Sequence, residues 1–346
     1  MKYAVPQYSK SRVDASGKAL RTAGIQEVDP ADLAVINNWR AAHSQPLVTF
    51  NMTLRSRAAK VDPDALVAQR LKRLTSIEAK LRDRPNMRLS QMQDIGGVRA
   101  VVSGVGNVIA LAEQYRETKM QHTLSSEDDY IATPKLDGYR GVHLIYRYKS
   151  EYERSSAYDG LFVELQIRSR MQHAWATTVE TVSTLTGQAL KSTLNTRRGE
   201  ERWRRFLALM SSVIAIWEKS PPVPEVPAEH GDLIKEVKNL SKELRVAEIL
   251  TGWQDAIRRL PTKNVEGAQV FILSIDPTTK IAQAVGYREP EDAEQAYLEM
   301  ERDLEAKGAQ AVLVSVDRVN RLRTAYPNYF LDTRYFVSLL NQALDK

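Results

Sequence analysis

The stretch from Asp129 to Leu144 (DYIATPKLDGYRGVHL) combines turn residues with side chains suited to binding a nucleotide. A proline and a glycine each mark a turn, and the residues that follow are apolar and β-rich, as in a strand. Its nitrogen donors and aromatic ring come from Lys135, Tyr139, Arg140 and His143. Positive charge and a flat ring are what a polyphosphate and a nucleobase require. An ordinary hairpin with a polar tip explains this stretch equally well on its own, because short loop motifs also arise by chance.

Two further motifs lie on either side of this stretch. Upstream, Asp94 and Arg99 belong to the segment DIGGVRAVV, which leads into a predicted strand. Downstream, Glu164, Gln166 and Arg168 alternate along FVELQIRSR, so a strand would present all three on one face. The motifs therefore predict acidic and basic side chains that converge on a sheet.

A helix is predicted over residues 62–83, because an Asp-Pro pair opens it. Lys72, Ser76 and Lys80 are four residues apart, so they would form one stripe along this helix, with Arg70 beside it. Like charges so close together repel, which favours a bound anion, although a solvated helix face is the alternative. No GxxxxGK[ST] sequence is present, so phosphate binding would depend on side-chain cations.

These motifs, in this order, resemble the synthetase domain of RelA/SpoT proteins. The resemblance covers about residues 66–185 and includes a D-x-x-x-x-R strand, a YIxxPKxxGYxxxH loop and an ExQIR strand that runs into a helix. Members of that family transfer the β,γ-diphosphate of ATP to a ribose 3′-hydroxyl. The resemblance implies an ATP-dependent diphosphotransferase with an α+β, nucleotidyltransferase-like fold, in which helices flank a mixed β-sheet.

The resemblance also implies catalytic roles. Asp94 and Glu164 would bind Mg²⁺, the cofactor that bridges the oxygens of the ATP triphosphate. Glu164 is also a candidate for taking the proton of the attacking hydroxyl. Arg99 and Lys135 would neutralise the charge that develops on the transferred group.

Binding roles follow from the same resemblance. The residues that match the ATP-binding pattern are Arg70, Lys72, Ser76 and Lys80. The residues that match the acceptor-binding pattern are Tyr139, His143 and Gln166. Arg168 would support the site, whereas His173 is more typical of a packed helix residue than of an acid or base.

Capping and periodicity predict the elements that would position these groups. A basic helix is predicted from Ser9 to Ala23, broken near Gly17, and a second helix over residues 29–42 begins at an Asp-Pro pair. Further strands are predicted over residues 98–103, 142–148, 162–170, 268–274, 281–287 and 311–316. Further helices are predicted over residues 104–118, 169–190, 197–219, 291–307 and 332–344.

A proline-rich stretch interrupts the chain near residue 220. Four prolines within it exclude a helix and indicate a semi-rigid linker. We therefore predict a synthetase domain with N-terminal helices over residues 1–219, a linker over 220–231, a connecting helix over 232–262 and a small α+β module over 263–346.

The overall layout resembles CapRel, fused toxin–antitoxin proteins of the same superfamily. There a zinc-finger-like domain that lacks its metal ligands covers the ATP site through a YxxY motif, the acceptor is the 3′ CCA end of tRNA, and a phage capsid protein is the trigger. The absence of cysteine from this chain agrees with such a module. The resemblance implies that Tyr326 and Tyr329 plug the adenine pocket near Arg70 and Lys72. Alternatively, the two tyrosines only close a local core.

Composition indicates a soluble, cytoplasmic protein without a membrane partner. The longest mostly apolar run, residues 206–217, is too short to cross a membrane, and the N-terminus lacks the apolar segment of a signal peptide. The net charge of +6 favours polyanionic partners. Basic residues in the N-terminal helices and in the helix from Arg197 are candidates for contacting tRNA phosphates, or are simply solvated helix faces.

Three functions stay open at this point. The first is an autoinhibited tRNA diphosphotransferase toxin of anti-phage defence, which would block translation when a phage protein such as the major capsid protein releases it. The second is an alarmone synthetase that acts on GDP or GTP, supported by the acidic run from Ser126 to Asp129. The third is a degenerate synthetase fold that only binds, which the intact Asp94, Lys135, Tyr139 and Glu164 oppose. No histidine is followed by aspartate, so the hydrolase motif of bifunctional relatives is absent and the activity would need restraint.

Overall fold

The computed structural model describes residues 3–188, 197–248, 250–251, 262–263, 268, 270–276, 281–305, 310–315 and 333–345. The strands are β1 (Leu66–Leu71), β2 (Gly96–Val102), β3 (Thr123–Asp129), β4 (Val142–Arg147), β5 (Phe162–Ser169), β6 (Thr262–Lys263), β7 (Val270–Asp276), β8 (Ile281–Tyr287) and β9 (Gln310–Ser315). The α-helices are α1 (Lys10–Ala23), α2 (Pro30–Ala41), α3 (Ser44–Val61), α4 (Leu74–Asp83), α5 (Val105–Glu117), α6 (Arg170–Gln188), α7 (Arg197–Trp217), α8 (His230–Glu243), α9 (Pro290–Glu305) and α10 (Arg334–Leu344).

All nine of these strands belong to one mixed sheet in the order β3-β4-β5-β2-β1-β9-β7-β8-β6. The pairs β2–β5 and β6–β8 are parallel, and the other described pairs are antiparallel. The first five strands in that order come from residues 66–169, and helices pack around them. The predicted α+β class, with helices flanking a mixed sheet, is confirmed.

The helix predicted over residues 62–83 is wrong in its first half. Residues 66–71 form β1, which pairs with β2 along its whole length and with β9 at Gln69 and Arg70. Strand pairing on both edges outweighs the local helix signal here. Arg70 therefore lies on a strand, Lys72 lies in the following connection, and only Ser76 and Lys80 lie on a helix. The predicted helical stripe of Lys72, Ser76 and Lys80, with Arg70 beside it, therefore does not form.

The predicted break of the first helix near Gly17 is also wrong. α1 is continuous, and the Ser9 hydroxyl caps its start by accepting a hydrogen bond from the Arg12 backbone N–H at 3.3 Å. Gly17 is buried, and a Cβ atom at this position would lie 2.6 Å from Cβ of Leu89. The glycine therefore permits close packing of α1 against the segment before β2, and its cost to helix propensity is offset by that packing.

Three elements differ from the sequence predictions in other ways. Helix α3 and strand β3 were not predicted; β3 consists mostly of exposed polar residues, so it lacks the alternating apolar pattern. The helix predicted over residues 232–262 ends at Glu243, because the chain turns at Leu244 and Arg245, whose φ is 50°. This turn brings Val246 and Leu250 into the same apolar cluster as Leu233.

The apolar interior forms two main clusters. The larger one lies between the sheet and helices α1 to α5. The second joins α6, α7, α8 and α10, and its aromatic centre includes Trp175, Phe206 and Phe336. Trp175 also donates its indole N–H to the Leu207 carbonyl at 2.7 Å, which ties α6 to α7. Among the helices that the structure describes, none has the length and apolar content to cross a membrane.

We predict that Gly17→Ala lowers the free energy of unfolding by about 1–3 kcal/mol, because Leu89 must move to admit the new methyl group. Gly106→Ala is the matched control, since a Cβ atom at this helical glycine of α5 meets nothing within 4 Å. Urea denaturation of both variants measures the difference. Equal stability of the two variants would contradict the packing account.

Candidate active site

A cavity of about 420 Å³ opens on one face of the sheet, across β1, β2, β5 and β4. Strand register explains why its walls come from separate parts of the chain. Arg99 of β2 lies beside Ala68 of β1 and beside Gln166 of β5, which in turn pairs with His143 of β4. The next row toward the cavity edge consists of Arg70, Gly97, Glu164 and Ile145.

Most residues that the sequence motifs nominated line this cavity. They are Arg70, Lys72, Lys80, Asp94, Arg99, Lys135, Tyr139, His143, Glu164 and Gln166. Arg168 lines it as well. Ser76 lies on α4 outside the lining, and His173 is buried in α6 away from it. Tyr326 and Tyr329 lie outside the described residues.

Asp94 is the electrostatic centre of one half of the cavity. Its Oδ2 atom pairs with Nζ of Lys72 and with Nζ of Lys80, each at 2.9 Å. Burial alone would raise the pKa of Asp94, but the two ammonium groups outweigh it and hold the pKa below its usual value. Its Oδ1 atom is buried without a hydrogen-bond partner among the described residues. That oxygen is therefore available to a ligand.

A closed ring of hydrogen bonds forms the other half. Arg168 donates to the Tyr139 hydroxyl oxygen, and that hydroxyl bonds Nε2 of His143. His143 in turn pairs through Nδ1 with Oε1 of Glu164 at 2.9 Å. Gln166 donates to Oε2 of Glu164 at 2.7 Å and accepts from Arg168 at 3.2 Å, which closes the ring.

The hydrogen bonds between Arg168, Tyr139, His143 and Glu164 can all be donated in the same direction around the ring. Because the Tyr139 oxygen already accepts from Arg168, its own hydrogen is free to go to Nε2 of His143. Nδ1 of His143 is then the donor that faces Oε1 of Glu164. Burial raises the pKa of Glu164, but the contacts with His143 and the hydrogen bond from Gln166 together outweigh it, and the pKa lies below its usual value.

The two carboxylates suit a magnesium ion. Asp94 and Glu164 are both held in the ionised form that binds a divalent cation. Mg²⁺ in phosphate-transfer sites takes one or two carboxylates together with substrate phosphates, so a third protein carboxylate is not required. Within the described part of the chain, no group of three acidic, histidine or cysteine ligands is gathered for a metal. The unpartnered Oδ1 of Asp94 is the observation that fits the ion best.

Positive charge exceeds negative charge around the cavity. In the described part of the chain, its lining includes seven lysines and arginines but four carboxylates. Arg99 is buried, and its burial, with Arg168 and Arg70 nearby, lowers its pKa to about 10. Buried cations that lower one another's pKa are stabilised by an anion between them. The cavity is therefore built for an anionic ligand.

Tyr130 is a site residue that the sequence argument did not single out. Nζ of Lys135 lies 4.1 Å from the centroid of the Tyr130 ring and 5.2 Å from that of Tyr139. The Tyr130 ring also meets Tyr139 and His143 edge-on, with centroids 5.6 and 5.3 Å apart. Its place in the YIxxPK loop was the available signal. Arg84 also lines the cavity, without any motif that pointed to it, and so does Asp128, which belongs to the acidic run from Ser126 to Asp129.

The loop that carries Tyr139 is anchored from behind by α6 and α7. Gly138 has a φ of +94°, and a Cβ atom there would lie 2.9 Å from the Trp175 ring. The Gly138 carbonyl accepts a hydrogen bond from the Ser211 hydroxyl at 2.6 Å, and that hydroxyl accepts one from Nε of Arg140 at 3.0 Å. Arg140, 2% exposed, is thus a loop anchor rather than a cavity residue.

Comparison with known proteins agrees with the motifs. Residues 69–183 match the region found in RelA / SpoT proteins, so the chain contains such a region. GTP pyrophosphokinase YjbM of Bacillus subtilis is 33% identical over 117 residues, which cover 33% of this chain and 54% of that protein. An uncharacterized protein of Mycobacterium tuberculosis is 29% identical over 190 residues, which cover 54% of this chain and 63% of that protein. The chain thus spans about half to two thirds of the length of these curated relatives.

One solved structure completes the comparison. The small alarmone synthetase 1 of Bacillus subtilis, bound to its product pppGpp, aligns with a TM-score of 0.42 at 25% identity. The alignment covers 51% of this chain and 90% of that chain.

We predict that Ser211→Ala destabilises the protein by about 1–3 kcal/mol, because the buried Gly138 carbonyl and Arg140 both lose a partner. The control is Ser338→Ala on α10, where the exposed hydroxyl bonds only the local Tyr335 carbonyl, and a change within about 0.5 kcal/mol is expected. Chemical denaturation of both variants is the measurement. A neutral Ser211→Ala would show that packing alone anchors the loop.

Proposed function

We propose that the chain is an ATP-dependent diphosphotransferase that moves the β,γ-diphosphate of ATP to the 3′-hydroxyl of a nucleotide acceptor. The observation that carries the proposal is the pairing of Asp94 with Lys72 and Lys80. This pair lies in the same cavity as the ring of hydrogen bonds that includes Glu164, and the cavity has an excess of positive charge. The matched region is one found in RelA / SpoT proteins. One relative's name, GTP pyrophosphokinase, describes the same class of reaction.

The donor would lie at the Asp94 side. Arg70, Lys72 and Lys80, with Arg84 at the rim, would contact its phosphates. Asp94 and Glu164 would hold Mg²⁺, which neutralises charge on the phosphate oxygens. In the reaction, the acceptor oxygen bonds the β-phosphorus while the bond from that phosphorus to the α,β-bridging oxygen breaks, and AMP leaves. Glu164 would take the proton of the acceptor hydroxyl. Ser76 lies outside the lining, and we assign it no contact with the phosphates.

The acceptor would lie at the Tyr139 side. Cations already lie near the Tyr139 ring, with Cζ of Arg168 at 4.7 Å and Nζ of Lys135 at 5.2 Å from its centroid. A base that stacks on this ring would replace one of these cations. The displaced cation would then be free for the transferred phosphates, together with Arg99. His143 and Gln166 would keep Tyr139 and Glu164 in place as this happens.

We propose the 3′ CCA end of tRNA as the acceptor. The net charge of +6 and the exposed Lys10 and Lys18 of α1 favour a polyanion. Helix α7 offers less positive charge for tRNA phosphates than its sequence suggests. Arg205 forms an ion pair with Glu236 of α8 through two hydrogen bonds, and Arg202 pairs with Glu243. The basic surface for tRNA would therefore lie mainly on the N-terminal helices.

The second candidate is alarmone synthesis from GDP or GTP, which the name of the Bacillus relative favours. The acidic run that supported this candidate has structural uses in this chain. Glu127 pairs with Arg116 of α5, and the Asp129 carboxylate accepts hydrogen bonds from the backbone N–H groups of Ile131 and Ala132 at 3.0 Å. Those contacts stabilise the start of the loop, so the run is weaker support for this acceptor.

Restraint by the C-terminal part completes the proposal. In β9, Val314 and Ser315 pair with Arg70 and Gln69 of β1, and Arg70 lines the cavity. The stretch that contains Tyr326 and Tyr329 lies in the sequence between Ser315 and Thr333. Ser315, at the start of this stretch, lies beside the donor half of the cavity. We propose that these tyrosines block the ATP site at rest, as in CapRel. In this proposal, the part from residue 263 is a zinc-finger-like module without metal ligands. A phage protein such as a capsid protein would release the block.

We predict that Asp94→Asn, introduced into the full chain with Tyr326→Ala and Tyr329→Ala, lowers diphosphate transfer by roughly 100-fold or more, because the Mg²⁺ ligand and the counter-charge of two lysines are lost together. Asp83→Asn, an exposed residue of α4, is the matched control and should leave the rate unchanged. Transfer from γ-³²P-labelled ATP measures the effect, with melting temperatures to show that both variants fold. Full activity of folded Asp94→Asn would refute the metal assignment.

We predict that labelled diphosphate appears on deacylated tRNA when Tyr326→Ala and Tyr329→Ala are combined in the full chain, and that the unchanged chain gives far less. The physical reason is that the two rings no longer occupy the adenine pocket. The same reactions with GDP separate the two acceptors. Label on GDP from the unchanged chain would contradict both the tRNA assignment and the block.

A further inference from the structure

Arg40 of α2 is a charged residue buried with no exposed surface. Its guanidinium reaches three elements of structure. Nη1 donates to Asn37 Oδ1 at 3.0 Å within α2, Nε donates to the Lys72 carbonyl at 3.1 Å, and Nη2 donates to the Tyr297 hydroxyl at 3.2 Å. A buried guanidinium with several partners is costly to disturb, because any partner that leaves uncovers a desolvated N–H.

Of the three partners of Arg40, the Lys72 carbonyl is the one that connects Arg40 to the donor half of the cavity. Lys72 lies between β1 and α4, and its backbone N–H donates to the Ile95 carbonyl at 2.7 Å, next to Asp94. Its own Nζ pairs with Asp94. Arg40 therefore fixes the carbonyl of the same residue whose ammonium group sets the position of the Asp94 carboxylate.

Tyr297 brings the C-terminal third into this arrangement. It lies on α9, is fully buried, and its ring centroid is 5.7 Å from Cζ of Arg40. One turn earlier on α9, Glu294 accepts a hydrogen bond from the Ser44 hydroxyl of α3 at 3.3 Å. Two contacts one helical turn apart therefore hold one face of α9 against the start of α3 and the end of α2.

A separate backbone contact joins the same two regions. β9 pairs with β1 at Arg70, two residues before Lys72. Helix α9 in turn packs on β9, β7 and β8. The C-terminal third thus contacts the segment from Arg70 to Lys72 twice, once through the sheet and once through the Tyr297–Arg40–Lys72 chain of hydrogen bonds.

We propose that Arg40 and Tyr297 are positioning residues for the donor site, so that the C-terminal third supports ATP binding as well as restraining it. The inference rests on the proposed function, because it assigns the Lys72 side of the cavity to ATP. Neither residue lines the cavity. They act through the backbone of Lys72, which sets the geometry of Lys72 and Asp94 for the phosphates and Mg²⁺.

The test measures binding of α,β-methylene-ATP with Mg²⁺ by isothermal titration calorimetry. The protein is the full chain with Tyr326→Ala and Tyr329→Ala, the form that the proposed function predicts to be open. Adding Tyr297→Phe, which removes one hydroxyl, is expected to raise Kd about 3- to 10-fold, as the loss of one buried hydrogen bond would. Tyr335→Phe on α10, an exposed tyrosine, is the matched control and should leave Kd unchanged.

A double-mutant cycle separates positioning from general destabilisation. Arg40→Lys keeps the charge but loses the forked donors, so it should raise Kd at least as much as Tyr297→Phe does. If Tyr297 acts through Arg40, adding Tyr297→Phe to Arg40→Lys should raise Kd no further. Melting temperatures of all variants show whether the chain still folds. Should Arg40→Lys fail to fold, Tyr297→Phe and its control decide the matter.

Two outcomes would overturn the inference in distinguishable ways. An unchanged Kd in folded Tyr297→Phe, or an equal rise in the Tyr335→Phe control, would overturn the positioning role and leave the proposed function intact. No binding of the analogue to the parent chain would overturn the proposed function itself, and the positioning role with it.

Discussion

The structure of the cavity depends on the balance of charges around Asp94. Lys72 and Lys80 approach one carboxylate oxygen at 2.9 Å each, while Arg70 and Arg99 line the same cavity. Burying like charges together costs several kilocalories per mole unless they are paired. The carboxylates of Asp94 and Glu164 offset only part of this charge, and an anionic ligand would balance the rest. Binding of a triphosphate would therefore neutralise the positive charge that the carboxylates leave unbalanced.

The sheet brings these charged side chains together, because neighbouring strands supply residues that lie far apart in the sequence. Each half of the cavity also has its own support. Helices α6 and α7 hold the Gly138 loop through Trp175 and Ser211, which positions Tyr139 for an acceptor. Arg40 holds the Lys72 connection, which positions the donor side. A change at either support should therefore affect one substrate more than the other.

The C-terminal third would have two opposite effects on the donor half. Through β9 and Tyr297, it contacts β1 and Arg40, and it would thereby hold Lys72 in a geometry suited to phosphates. Through Tyr326 and Tyr329, it would block the adenine pocket. If both proposals hold, a trigger must withdraw the two tyrosines without separating β9 from β1.

Sequence alone determined the local placement of the candidate site residues: the alternation of Glu164, Gln166 and Arg168 placed them on one face, and the loop around Tyr139 was assigned correctly to a turn. Strand periodicity and turn residues are local properties, so they can be seen in one stretch of chain. The placement of Arg70, the packing of Gly17 and the contact between Arg40 and Tyr297 were decided by tertiary structure. Each depends on a partner far along the chain, and pairing of β1 on both edges overrode the helix that its flanking residues favoured.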